Sequence, residues 1–103
     1  MTYQIKVQDL EGAVRRLNRL TQNPEVAYLR VNGRLLGQVG NYHIDSAYGG
    51  KKLVQMSNTS GGIHDISDIG YATKRELYDW IHAYIKGIEV GIALAKANPE
   101  IEA

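Results

Sequence analysis

Residues 26–39 read Val-Ala-Tyr-Leu-Arg-Val-Asn-Gly-Arg-Leu-Leu-Gly-Gln-Val, two runs of β-formers on either side of Asn32-Gly33. A two-residue type I′ turn needs positive φ at both central positions, and Asn-Gly adopts it at low steric cost. The stretch is therefore an antiparallel hairpin. Seven of the eleven glycines lie between Gly33 and Gly62, around further candidate strands at Tyr42 to Ile44 and Leu53 to Ser57. Short strands between glycine turns predict an antiparallel sheet over residues 26 to 66.

Helical patterns flank this region. Tyr3 to Val7 alternates well enough for a short strand, and Asp9 then offers an N-cap to a segment in which Leu10, Ala13, Val14, Leu17 and Leu20 share one face. Arg15, Arg16 and Arg19 fall largely elsewhere, as a solvated face would, and Asn23-Pro24 ends the helix. Near the other end, Thr73-Lys74-Arg75-Glu76 matches a capping box. It is followed by an apolar stripe of Leu77, Ile81, Tyr84, Ile85 and Ile88 with Trp80 beside it. The pattern runs on through Val90, Ile92 and Leu94 towards Pro99, although Gly87 and Gly91 each weaken a helix interior by about 1 kcal/mol. The expectation is one α+β domain over residues 1–103, without linker or repeat: a short antiparallel sheet, one N-terminal helix and one long C-terminal helix. That last helix carries more apolar surface than a small sheet covers, which predicts a homo-oligomer.

Composition narrows the function. Twelve basic against eleven acidic side chains disfavour a protein that wraps duplex DNA in phosphate contacts, although residues 1–36 alone carry six basic and three acidic. No cysteine is present, so disulfides, thiolate nucleophiles and Cys-bearing zinc sites are excluded. No apolar run approaches the roughly 18 residues of a membrane span, and Met1 to Leu10 is too polar for a signal peptide. A cytoplasmic protein with no membrane partner is expected. Phenylalanine is absent while tyrosine occurs seven times, so nearly every ring carries a hydroxyl that needs a partner.

Enzymatic chemistry has little support. His43 and Asp45 share a strand parity, His64 adjoins Asp65, and Asp68 is near, yet none has a metal motif's spacing; structural hydrogen bonding is the simpler reading. Gly49-Gly50-Lys51 lacks the Walker spacing and the following Ser or Thr. A binding role fits better. Tyr48, before Gly49 and Gly50, offers a flat face for a purine. Asn58 carries a donor and an acceptor for a base edge or ribose, or else serves as a turn residue before Thr-Ser-Gly-Gly. Arg75 and Lys74 sit at a helix N-terminus, where free N–H groups favour an anion and a cation is otherwise slightly misplaced.

The stretch from Gly40 to Gly87 carries a specific resemblance. Gly-Asn-Tyr-His-Ile-Asp-Ser-Ala-Tyr-Gly-Gly at 40–50, Met-Ser-Asn-Thr-Ser-Gly-Gly at 56–62 and Thr-Lys-Arg-Glu-Leu-Tyr at 73–78 resemble small phage-encoded proteins of the Thoeris anti-defence 1 family. The resemblance implies a sponge and not an enzyme, one that binds cyclic ADP-ribose isomers made by TIR-domain proteins and holds them uncleaved, with no cofactor, in the host cytoplasm. It places the family's ligand-contacting aromatic, asparagine and arginine on Tyr48, Asn58 and Arg75, with tyrosine where the family has phenylalanine. A further arginine from the N-terminal helix falls on Arg15, Arg16 or Arg19, with Arg16 preferred. It also implies a dimer or a dimer-based hexamer and, in some members, a separate site for cyclic oligonucleotides. The alternative class is a phage regulator that binds a host protein or nucleic acid.

Overall fold

Asn32 and Gly33 have φ of 51° and 78°, the left-handed pair that a type I′ turn requires. In the computed structural model, which describes residues 3–97, this turn joins β1 (Tyr28–Val31) to β2 (Arg34–Gly37), paired from Tyr28↔Gly37 to Val31↔Arg34. A second two-residue turn, Tyr48-Gly49, joins β3 (Tyr42–Ala47) to β4 (Gly50–Met56), and β5 (Ile63–Asp65) lies antiparallel on the other side of β4. Two helices, α1 (Val7–Leu20) and α2 (Lys74–Ala97), complete an α+β fold.

The strands form two sheets, β1–β2 and β3–β4–β5, where one sheet was expected. The hairpin meets the three-stranded sheet through its end and not its edge. Gly37 N–H donates to the Thr59 carbonyl at 2.8 Å, and a Cβ on Gly37 would sit 2.7 Å from the Asn58 carbonyl oxygen and 2.8 Å from Met56 Sδ. Only a residue without a side chain fits that approach.

The N-terminal expectation also needs correction. Tyr3 to Lys6 forms no strand, because the sheet order places no strand beside it to pair with, and Ile5 packs into the core instead. Lys6 is the N-cap and Asp9 the third helical residue, its Oδ2 reaching back to accept the Lys6 N–H at 2.8 Å. At the start of α2 the capping box is complete. Glu76 N–H donates to Thr73 Oγ1 at 3.1 Å, and Thr73 N–H donates to Glu76 Oε1 at 3.0 Å.

The core lies between the helices and the face of the three-stranded sheet that carries Tyr42 and Leu53. Leu10, Ala13, Val14 and Leu17 from α1 meet Leu77, Ile81 and Ile85 from α2, with Leu20, Tyr84 and Ile88 partly buried at the margin. Each large apolar side chain there contributes about 1.5–3 kcal/mol. The two helices run in the same direction, since Arg75 reaches the Tyr3 carbonyl and Arg16 reaches Glu89. Past Glu89, α2 is exposed, and the expected approach to Pro99 lies outside the described residues.

The molecule is flat, 48 × 44 × 20 Å, with a radius of gyration of 15.4 Å against about 13 Å for a compact domain of this length. Two extensions account for the difference. The β1–β2 hairpin exposes Leu29 and Val31 on one face and Leu35 on the other, and the end of α2 exposes Val90 and Ile92. Among the described residues, no helix is long and apolar enough to cross a membrane.

Candidate functional site

Tyr48 occupies the first position of the β3–β4 turn with φ of 53°, and Gly49 follows with φ of 74°. A bulky side chain in the left-handed region is strained, and this one is also 95% exposed. Glycine or asparagine would make the same turn without either cost.

The exposed ring stands against Tyr71, edge to face at 5.5 Å between centroids. Tyr71 is held on three sides. Its hydroxyl donates to Asp45 Oδ2 at 2.5 Å, the Lys52 ammonium lies 4.4 Å from its ring centre, and its backbone crosses directly over Gly50. A Cβ on Gly50 would be 2.8 Å from the Tyr71 carbonyl carbon, so that glycine admits the protein's own chain, whereas Gly49 faces open space. Lys52 is in turn paired with Asp65 at 2.9 Å. The bond to Asp45 raises the Tyr71 phenol above its usual range, and the bond to Asp65 raises the Lys52 ammonium. The result is an ordered support under one exposed aromatic ring.

The N-terminus of α2 lies at the same end of the sheet, because Ala72 pairs with Lys51 by two backbone bonds, of 2.8 and 2.9 Å. Lys74 is exposed and makes no ion pair among the described residues. Arg75 is engaged: it donates to the Tyr3 carbonyl at 2.7 Å and lies 3.7 Å from Asp79.

Asn58 is elsewhere. It follows the far end of β4, about 20 Å of extended strand from the Tyr48 turn. Its Oδ1 accepts the N–H groups of Ser60 and Gly62 at 3.0 and 2.9 Å, so its side chain shapes the loop that precedes β5. Arg16 meets Glu89 at 3.2 Å, about 20 Å along α2 from Arg75. One copy of the chain thus brings Tyr48, Gly49, Gly50, Lys74 and Arg75 to one end and leaves Asn58 and Arg16 apart from them.

The histidines and carboxylates do not assemble. Among the described residues, no three His, Asp or Glu side chains could hold a metal ion. His43 Nδ1 bonds Asn41 Oδ1 at 3.1 Å, and burial lowers its pKa against the opposing pull of Asp45. Asp45 holds Tyr71, Asp65 holds Lys52, and Asp68 accepts Trp80 Nε1–H at 2.9 Å.

Sequence reasoning passed over Tyr71 and Lys52. The signal for Lys52 was its β-parity with Asp45 across the hairpin; Tyr71, in an irregular segment before the capping box, offered none. Compared with family models, characterised proteins and solved structures, the chain matches none.

Proposed function

We propose that this protein binds and sequesters a cyclic ADP-ribose isomer made by a TIR-domain enzyme, as a phage anti-defence sponge that leaves its ligand intact. The observation that carries the reading is Tyr48. A strained, almost fully exposed ring, backed by a second aromatic that is itself locked by Asp45 and Lys52, costs stability and buries almost none of its own surface in the chain. Stacking a purine on it recovers about 1–3 kcal/mol. Lys74, Arg75 and the first turn of α2 lie at the same end and suit the pyrophosphate.

Tyr48 and Asn58 are too far apart for one small ligand to touch both in a single copy. A site that uses both therefore draws them from two copies, in a homodimer or a hexamer built from dimers. The apolar hairpin faces at Leu29, Val31 and Leu35 support such an assembly. The same surface supports the second reading, a regulator that docks on a host protein.

Calorimetric titration with cyclic ADP-ribose isomers tests the proposal, followed by heating and chromatography of the released ligand. Binding with unaltered mobility is expected. A product of changed mobility overturns sequestration in favour of cleavage, and no binding of any isomer favours the regulator.

A further inference from the structure

Strand β3 is an edge of its sheet, and the described residues close only part of that edge. Asn18, buried on α1, acts as one rung of a neighbouring strand: its Nδ2 donates to the Tyr42 carbonyl at 3.0 Å and its Oδ1 accepts the Tyr42 N–H at 2.8 Å. In an antiparallel ladder, residues alternate between exchanging bonds with the partner strand and pointing away from it. Tyr42 points away from β4, so Ile44 and Ser46 do too. Among the described residues nothing takes their N–H and C=O groups. Beside this open edge runs an open cleft of about 220 Å³ between α1 and β3, lined by Val14, Arg15, Asn18, Tyr42 and Ile44 among others.

The cleft has one blocked end and a charge order. At Tyr42, Asn18 already fills the rung. Arg15, one helical turn before Asn18, makes no ion pair among the described residues, and Arg19 beyond it is paired with Glu25, which also lines the cleft. Glu11, a further turn towards the open end, is in no ion pair either, and Asp45, next to Ile44 on β3, faces the other side of the sheet, where it accepts the Tyr71 hydroxyl across from Lys52. Among the described residues that line the cleft, Arg15 is thus the unpaired cation, one turn from the blocked rung, with Glu11 a turn further out and Lys51 beyond it on Ser46.

We infer that this groove binds the free C-terminus of an extended peptide, which adds to β3 as a fourth, antiparallel strand. An added strand in that direction ends where Asn18 blocks the edge, and its terminal carboxylate meets Arg15. Its penultimate residue exchanges both backbone bonds with Ile44 and turns its side chain towards Val14. The residue before that stands opposite Asp45, where a basic side chain is favoured. Self-pairing of two β3 edges through Ile44 and Ser46 would set Asp45 against its own copy, which like-charge repulsion disfavours.

The test uses fluorescein-labelled Ser-Thr-Lys-Val-Val with a free carboxylate, measured by fluorescence anisotropy against the full chain. Saturable binding is expected, weakened about tenfold or more by C-terminal amidation. Methylation of the penultimate peptide nitrogen, which removes the donor to the Ile44 carbonyl, should weaken it comparably. Arg15→Gln changes an exposed side chain, so the fold should persist by circular dichroism while the preference for acid over amide disappears. Equal affinity for acid and amide, an unchanged preference in Arg15→Gln, or no binding at millimolar peptide overturns the inference. The last result is also what an edge occupied by a second copy would give.

Discussion

The carboxamide of Asn18 and the backbone of Tyr42 exchange two hydrogen bonds inside the protein, so a helix side chain does the work of a strand. Asn18→Leu keeps the branched shape, with bulkier methyl groups, and leaves a buried N–H and a buried C=O unpaired. The expected loss is about 2–4 kcal/mol of unfolding free energy, read from urea denaturation at fixed protein concentration. A loss below about 0.5 kcal/mol would mean that water reaches Tyr42 and the rung is dispensable.

The capping box at Thr73 and Glu76 fixes the start of α2 directly after the irregular segment that carries Tyr71. Thr73→Ala should cost about 1 kcal/mol. The Glu76 carboxyl is held below its ordinary 4.5, first by the Thr73 N–H and then by its hydroxyl. A depressed native pKa adds stability that is fully present above the unfolded value and is lost as pH falls through the native one. Melting curves between pH 6 and 3 should therefore fall less steeply for Glu76→Gln than for the wild type. Parallel curves would count against the cap.

Burial of His43 lowers its pKa from 6.5, with Asp45 opposing. The unfolded chain then binds the proton more readily, so stability is complete above about pH 6.5 and declines as pH falls from there towards the native value. A His43→Asn variant should show a flatter melting profile between pH 7.5 and 5.5. An equally steep profile would assign the dependence to another group.

The fold was legible where local chemistry decides it. Asn32-Gly33 and Thr73-Lys74-Arg75-Glu76 define a turn and a helix start by steric and hydrogen-bonding rules that need no tertiary partner. Tyr3 to Val7 was misread because alternation does not make a strand when no neighbouring edge is present. Asn18 reads as a surface residue by type. Its spacing from Leu10 and Val14 nonetheless puts it on the buried face, and that was the available signal. The support under Tyr48 was not legible, because Tyr71 reaches it only through the pairing of Ala72 with Lys51.

Leu29 and Leu35 are 52% and 58% exposed on opposite faces of a hairpin that packs against the rest of the chain only at its end. Light scattering at micromolar concentration should give at least twice the 11.5 kDa of one chain. Leu29→Asp should lower that mass with little change in the melting curve, since the side chain is not part of the core. A wild-type mass of one chain removes the assembly, and with it the composite ligand site.

Tyr48, Arg75 and Asn58 should fail in three distinguishable ways. Tyr48→Ala removes an exposed ring and no charge, so it should weaken binding of a cyclic ADP-ribose isomer by about 1–3 kcal/mol without altering salt dependence or lowering the melting temperature. Replacing tyrosine by glycine there would even relieve the positive φ, and Tyr48→Gly should raise the melting temperature while abolishing stacking. Arg75→Ala should cost at least about 1.5 kcal/mol of affinity and flatten the salt dependence, because the lost bond is charge-assisted and ions screen it. It also loses the contact with the Tyr3 carbonyl, so a small drop in melting temperature is expected alongside. Asn58→Ala frees the N–H groups of Ser60 and Gly62 and should destabilise the β4–β5 loop, so Asn58→Asp, which keeps the Oδ acceptor, is the cleaner probe of ligand contact. If the site joins Tyr48 of one copy to Asn58 of another, Tyr48→Ala and Asn58→Asp dimers that are each defective should regain part of the binding capacity after unfolding and refolding together. One of the two sites in a mixed dimer would then be intact. Refolded mixtures with no recovered capacity would place the two residues in separate functions.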